Sequence, residues 1–423
     1  VSRFTVLDDL PGRKTMTLST QSITDDAQEI FGDVRNLRHA LHREPEVGLY
    51  LPSTQEKVLN WLEPLGYELS LGKDLSSVTA VLRGGAAKEN APTVLLRGDM
   101  DGLPVKEKTG VDYASQTGDT MHACGHDMHV AMLAGAATLL AERKEQLPGD
   151  VVLMFQPGEE GFDGAGHMIR EGVLDAAGKR ADVAYGIHVM SGIGTNGEIM
   201  SRPGAIMSAS DGLYVTVRGK GGHGSAPFMA KDPVGAAAEM VTALQMMVTR
   251  NFDAFDPVVI SVGVFNAGNA RNVIPETAHF EATIRSFSPQ AHDKLQCLVP
   301  LLLQGIAKAH GLEVEIDYRP EYPVTANHAE NTNFARSAAI ELFGDACYTE
   351  MAQPLTGSED FSRVLQEVPG AFIFLSALAP GETDETAQYN HSPYAHFDDS
   401  VLSRGTALYT YLATRSLTEL SAH

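Results

Sequence analysis

The stretch TVLLRGDMD (Thr93–Asp101) decides the architecture, because a short apolar run ends on an arginine, a glycine and two carboxylates. Val94, Leu95 and Leu96 follow one another without polar alternation, which predicts a strand covered on both faces. VVLMFQ (Val151–Gln156), ADVAYGIHV (Ala181–Val189) and AFIFL (Ala371–Leu375) share that texture. Between the first two strands, Val130, Leu133, Ala134 and Ala137 recur at helical spacing and predict an amphipathic helix. Buried strands alternating with helices indicate an α/β fold, a mixed sheet with helices on both faces. Upstream, Thr24–Arg43 reads as a helix with Asp25 and Asp26 in its first turn, where the dipole favours acid. Ser53-Thr54-Gln55-Glu56 reads as a capping box that opens a helix ended by Gly66.

Residues 204–322 follow a different order. An alternating strand, Leu213–Val217, precedes a Gly-rich turn that holds His223, and a helix is predicted over Pro233–Arg250. Strands Val258–Val264 and His279–Phe287, a helix over Pro289–His310 and a closing strand, Leu312–Tyr318, complete the segment. The order β-α-β-β-α-β is ferredoxin-like. The expectation is therefore an α+β module inserted into a catalytic domain made of residues 26–203 and 323–423. Residues 1–25 read as a loosely docked extension.

The net charge of −22, from 54 acidic and 32 basic residues, repels polyphosphate and anionic surfaces, so nucleic acid and membrane are poor partners. No stretch approaches the ~20 apolar residues of a membrane span, and the first residues lack the apolar centre of a secretory signal. Three dispersed cysteines form no disulfide framework and suit a reducing compartment, so a cytoplasmic location is expected. Cys297, within LQCLVPLLL, reads as core, and Cys347 carries no signal. Cys124 lies between His122 and His126.

That third cysteine belongs to MHACGHDMH (Met121–His129), just before the helix. Cys124 and His126 are two residues apart, so in an extended segment both side chains can face one point, and thiolate and imidazole both bind borderline-soft divalent metals. FQPGEEG (Phe155–Gly161) follows a buried strand and offers Glu159 and Glu160, one to ligate and one to move a proton. His188 closes a third strand, and His391 lies in Asn390-His391-Ser392-Pro393. Taken singly, these clusters have bland readings as a helix entrance, an acidic loop, a core histidine and a turn. Their shared position decides between the two kinds of reading. Asp99, Cys124, His126, Glu159, Glu160 and His188 all fall at or just beyond strand ends or where a helix begins, the edge at which open α/β sheets bind ligands. Asp99 can ligate or orient a ligating histidine. Arg97 stays protonated and is no ligand, and Asp101 can equally be a surface turn.

In this order, LHREPEVG, RGDMDGLPV, MHACGHDMH, FQPGEEG, GIHV, GKGGHGSAP, RNVIPE, GSEDFS and NHSPYAHFDD resemble the dimetal aminoacylase and carboxypeptidase family. The likeness runs from about Arg38 to Phe397 and is strongest to hippurate hydrolases and hydrolases of indole-acetyl-amino-acid conjugates. It implies two divalent ions per subunit, zinc foremost, with manganese, cobalt or nickel as alternatives. Cys124 would bridge them where most of the wider family has an Asp, and His126, Glu160, His188 and His391 would complete the coordination. Arg97 stands where that wider family often has a metal-binding His, a departure that supports the Cys-containing subgroup. The resemblance makes Glu159 the general base and acid, with Asp99 behind the ligands. It also brings His223 to the substrate carbonyl on an inserted lid that commonly dimerises, and gives Asn272 and Arg285 the oxyanion or the substrate carboxylate. The implied reaction is hydrolysis of N-acyl-L-amino acids or related conjugates, or of dipeptides and peptide C-termini on the same scaffold. Two other classes are weighed against it: a thiol hydrolase with Cys124 as nucleophile, and a non-catalytic binder of acyl-amino acids.

Overall fold

The computed structural model describes residues 19–422. The larger sheet has eight strands in the order Glu68–Leu71, Val78–Leu82, Asp150–Gln156, Thr93–Asp99, Val183–Met190, Gly370–Ser376, Ile199–Ser201 and Tyr348–Glu350. The four strands from Asp150–Gln156 to Gly370–Ser376 run parallel, and antiparallel pairs flank them. Every residue of Thr93–Asp99 is buried. Alternate side chains feed separate cores on the two faces, Val94 and Leu96 one, Leu95 the other. The absence of polar alternation thus has the cause expected of it.

The helix predicted around Val130 spans His126–Glu142, but it is not amphipathic. Its residues are buried on all sides except at Thr138, Ala141 and Glu142, because the sheet and the helices Phe31–Arg43, Pro52–Leu62 and Leu402–Leu420 surround it. Small residues permit that enclosure. A Cβ on Gly405 would lie 1.9 Å from Met132 Sδ, so the Met132 side chain occupies the space that the glycine leaves between the two helices.

Four further expectations are corrected. The single helix over Thr24–Arg43 is two, Thr20–Glu29 and Phe31–Arg43, and the Ser19 side chain caps the first by accepting from the Ser22 backbone N–H. Asp25 and Asp26 therefore lie beyond its first turn, and Asp26 pairs with buried Arg143. Of the expected extension, residues 1–18 lie outside the described residues, whereas Ile23 is fully buried against Leu139 and Ala407. Ser53 does not cap its helix. Pro52 occupies the first turn of Pro52–Leu62, and the Glu46 carboxylate accepts from the backbone N–H groups of Ser53 (3.2 Å) and Thr54 (2.8 Å). Gly66, in the left-handed region, follows a 3-10 turn that extends this helix. Cys297 is exposed rather than core, since Leu295, Val299, Leu303 and Ile306 define the inward stripe of Pro289–Ala309 and a residue two on from Leu295 points away from it.

The inserted module is a four-stranded antiparallel sheet ordered Val258–Ala267, Thr277–Ser286, Ala209–Arg218 and Glu313–Tyr322. Helices Pro233–Asn251 and Pro289–Ala309 pack on it over Leu213, Val215, Val217 and Phe280. That order of strands is ferredoxin-like. Gly222–His223 pairs with Val273–Ile274 as a separate two-stranded ribbon.

Ile23→Ala tests whether the amino-terminal helix is part of the fold. Deleting this buried side chain should cost about 2–4 kcal/mol in denaturant unfolding, while specific activity of the folded fraction stays at the wild-type level; a change within error would make the helix an ornament.

Candidate metal centre

Cys124 and His126 do not share an extended segment. Cys124 lies in a turn, Gly125 follows at φ +86°, and His126 is the first residue of the long helix. Left-handed backbone and lack of room both demand glycine here, since a Cβ would meet Val189 Cγ2 at 2.4 Å. The turn presents the Cys124 sulfur to two imidazoles: His188 Nε2 at 3.4 Å and His391 Nε2 at 3.3 Å. His188 Nδ1 donates to the Val189 carbonyl at 2.8 Å, which leaves the Nε2 lone pair facing the sulfur. His391, itself at φ +73°, is held by its backbone N–H on the Ala123 carbonyl (2.8 Å), and its Nε2 lies 3.2 Å from Glu160 Oε1.

Two sets of donors result. Cys124, His126 and His188 offer ligand atoms within 4.8 Å of one another, and so do Cys124, Glu160 and His391. Cys124 is common to both. Neither ring nitrogen of fully buried His126 makes a hydrogen bond among the described residues, although Asp99 and Asp101 stand 3.5 Å away on its two sides. A buried imidazole without partners is costly, and a divalent cation taking one lone pair removes that cost. The thiolate, imidazole and carboxylate set suits zinc-like ions.

Asp99 is fully buried, with Arg97 on one oxygen and His129 Nδ1 on the other. Burial opposes its charge, but Arg97, His126 and His129 outweigh that and hold it well below the usual carboxylate range. His129 Nε2 in turn accepts from the Val189 N–H at 2.8 Å. Asp101 is no surface turn: it is buried, and its two oxygens accept from the backbone N–H groups of Glu159 and Glu160, each at 3.0 Å. Asn390 donates to the carbonyls of Cys124 (3.2 Å) and Val189 (3.1 Å), tying the His391 turn to the cysteine turn. Residue-by-residue reading gave no role to Asp101, His129 or Asn390; their place inside RGDMDGLPV, MHACGHDMH and NHSPYAHFDD was the available signal.

Glu159 is buried beside Glu359 and Asp360, the acids of the GSEDFS stretch. Burial first, then the charges of Glu359, Glu160 and Asp360, push its carboxyl well above the usual range. Glu160 moves the other way: burial is outweighed by His391 and His126. Hydrogen bonds to the Cys124 sulfur and to Glu160 raise the His391 imidazole to about 10.

Residues 95–415 match peptidase family M20/M25/M40. The chain belongs to this family. It is 36% identical over 391 residues to hippurate hydrolase of Campylobacter jejuni, covering 92% of this chain and 98% of that one. With thermostable carboxypeptidase 2 of Saccharolobus solfataricus the identity is 34% over 400 residues, covering 93% and 98%. Among solved structures, the YxeP protein of Bacillus subtilis, described as a dinuclear metal-binding peptidase of the M20 family, superposes with a TM-score of 0.78 at 29% identity, covering 92% of this chain and 99% of that one. The M20 protein described here is thus a metal-dependent enzyme that hydrolyses amide bonds.

The inserted module of this M20 enzyme keeps three of the expected site residues outside the donor cluster. His223 is exposed, its Nδ1 against Ser225 Oγ at 2.8 Å. Asn272 is also exposed, and its carbonyl accepts from the Gly224 N–H at 2.8 Å. The two line a cavity of about 530 Å³ with Val273 and Pro275. Arg285 is half-buried and donates to Ser358 Oγ at 3.0 Å, next to Glu359. No helix among the described residues is long and apolar enough to cross a membrane.

Two outcomes are expected of this site. Asp101→Asn sets an amide donor against one of the two backbone N–H groups and should weaken metal affinity about 10–100-fold, read by competition with a chromophoric chelator; unchanged affinity would show that Asp101 does not govern the Glu159–Glu160 loop. With its imidazole raised to about 10, His391 is protonated at neutral pH, and a metal that took its Nε2 would have to displace that proton. Metal uptake at neutral pH should release protons, and affinity should rise with pH toward that value; an affinity flat between pH 6 and 9 contradicts the coupling.

Proposed function

We propose that this enzyme hydrolyses the amide bond of N-acyl-L-amino acids and related amino-acid conjugates, releasing a carboxylic acid and an amino acid. The observation that carries this reading is the pair of donor sets meeting at one cysteine, with a buried carboxylic acid beside them. In this reading two divalent ions per subunit would be held with Cys124 common to both donor sets. His126 and His188 would complete the hold on one ion, Glu160 and His391 on the other, and Asp99 would steady the first through His126 and His129. Zinc suits these ligands, and manganese, cobalt or nickel can occupy such a site. When bound, the ions polarise the amide carbonyl and make the attacking water more acidic, toward a pKa of about 7 for a single catalytic zinc.

The chain's own residues then divide the work. Glu159 accepts the proton of the attacking water and delivers it to the leaving nitrogen, a role that suits a carboxyl held above its ordinary range. His223 donates to the carbonyl oxygen as negative charge grows there. Its exposure on the inserted module means that the lid must close over the substrate first, excluding water. Arg285 and Asn272 face the substrate's carboxylate or the oxyanion. We place the enzyme in the cytoplasm, consistent with free cysteines at 124, 297 and 347, and as a homodimer paired through the lid, whose exposed Val259 and Phe265 lie on its edge strand.

Hippurate is an N-benzoyl amino acid, so the Campylobacter relative favours an acyl substrate. The Saccharolobus relative favours a second reading, cleavage of a C-terminal residue from a dipeptide or peptide. A screen of N-acyl amino acids against dipeptides on metal-reconstituted enzyme separates them. Glu159→Gln should lower kcat by about 10²–10⁴ with metal content unchanged, and a variant that keeps most of its turnover removes Glu159 from the chemistry. Chelation should abolish activity and metal should restore it. Full activity in metal-free protein would instead point to Cys124 as a nucleophile.

A further inference from the structure

The backbone of Glu159 is gripped from two sides. Below it, Asp101 holds the N–H groups of Glu159 and Glu160 at 3.0 Å each. Above it, the Glu159 carbonyl accepts from the Tyr322 hydroxyl at 2.7 Å, and the same hydroxyl accepts from the Asp163 N–H at 3.2 Å. The Tyr322 side chain is therefore a bracket across the loop that carries both glutamates. The loop needs one, because it turns through left-handed Gly158, Gly161 and Asp163 and has little regular structure of its own.

Tyr322 does not belong to that loop. It is the last residue of Glu313–Tyr322, the strand by which the chain leaves the lid. The pairing of this strand with Ala209–Arg218 shifts register between Pro320 and Tyr322, so that Tyr322 lies opposite Ser210, the second residue of the strand by which the chain enters. A bulge at a strand end re-aims the next side chain, and here it turns the tyrosine, 7% exposed, down onto the Glu159 loop. The flanking residue is anchored as well: the Glu321 carbonyl accepts from Arg363 (2.7 Å), which also pairs with Asp163. The lid's exit strand is thus joined by hydrogen bonds to the peptide that carries the proposed base.

We infer that Tyr322 is a positioning residue that couples the orientation of the lid to the placement of Glu159. A rotation of the lid about its two connecting strands displaces the Tyr322 hydroxyl, and the Glu159 peptide must follow it or lose one of its two donors, the other being the Gly161 N–H at 2.7 Å within the same loop. The lid that brings His223 to the carbonyl would in the same movement set the carboxyl that handles the proton. This inference rests on the role proposed for Glu159.

Tyr322→Phe keeps the buried ring and removes only the hydroxyl, leaving the Glu159 carbonyl and the Asp163 N–H without it. Misplacement of a reacting group costs up to about 100-fold; for this variant we expect kcat to fall about 10-fold or more, with KM within about threefold of wild type and metal content unchanged. Tyr67→Phe is the control. Its buried hydroxyl donates to the Ala137 carbonyl at 2.9 Å, a comparable bond remote from the donor residues, and its loss should lower stability similarly while leaving kcat alone. The coupling is overturned if Tyr322→Phe retains kcat within twofold, if Tyr67→Phe lowers kcat equally, or if Tyr322→Phe loses its metal or its fold, any of which reduces Tyr322 to ordinary packing. Measured beside them, Glu159→Gln separates the two readings. Its inactivity with a fully active Tyr322→Phe defeats the coupling alone, whereas its activity defeats the role of Glu159 itself.

Discussion

One guanidinium, fully enclosed beneath the donor residues, sets the electrostatics of this enzyme. Arg97 donates through Nε to Gln156 Oε1 (2.9 Å) and through its terminal nitrogens to Asp99, to Glu359 (2.7 Å) and to Asp360 (3.1 Å). A charge taken out of water survives only with such complete pairing. Three segments far apart in sequence are fastened by it: the end of Thr93–Asp99, the end of Asp150–Gln156 and the loop before Ser362–Glu367. Removing the cation would leave three acids buried together. Burial already presses Glu359 and Asp360 upward, Arg97 alone being the largest opposing influence on each.

From Arg97 the order propagates outward one hydrogen bond at a time. Its charge keeps Asp99 ionised, Asp99 fixes the His129 ring, and His129 accepts from Val189 N–H on the strand that carries His188. Val189 also presses on Gly125, the turn that delivers Cys124, and its carbonyl takes the His188 Nδ1 proton and an Asn390 amide proton. The donors are therefore oriented by partners outside the two donor sets that share Cys124, which is how a site keeps its geometry before anything binds. Asp101 and Tyr322 extend the same principle to the glutamate loop.

The sheet explains why these chains of contact converge. Parallel strands place all their carboxyl ends on one edge, so the residues after Asp99, Gln156 and Met190 meet there whatever their distance in sequence. The lid is a separate solution with its own core, and its connection to that edge runs through a few polar contacts: Ser208 to Thr356 and Gly357, Arg285 to Ser358, and Tyr322 to Glu159. Polar straps of this kind let two bodies move while keeping a defined relation.

Composition and local pattern were enough for the strands, the inserted ferredoxin-like unit and the residue types able to hold metal, because burial on two faces and donor chemistry are written in single short segments. Val94 to Leu96 has no alternation to misread, and the lid's strands and helices alternate at lengths that leave one order. Local pattern failed where a distant group took over a local role. Glu46, not Ser53, caps a helix; three neighbouring helices bury the face of His126–Glu142 that periodicity assigned to solvent. It failed again at Asp101 and Tyr322, whose purpose lies wholly in a loop about sixty and one hundred and sixty residues away. A turn at Gly125 aims Cys124 and a bulge before Tyr322 aims its hydroxyl, and aim is a property of packed backbone that no single stretch of sequence contains.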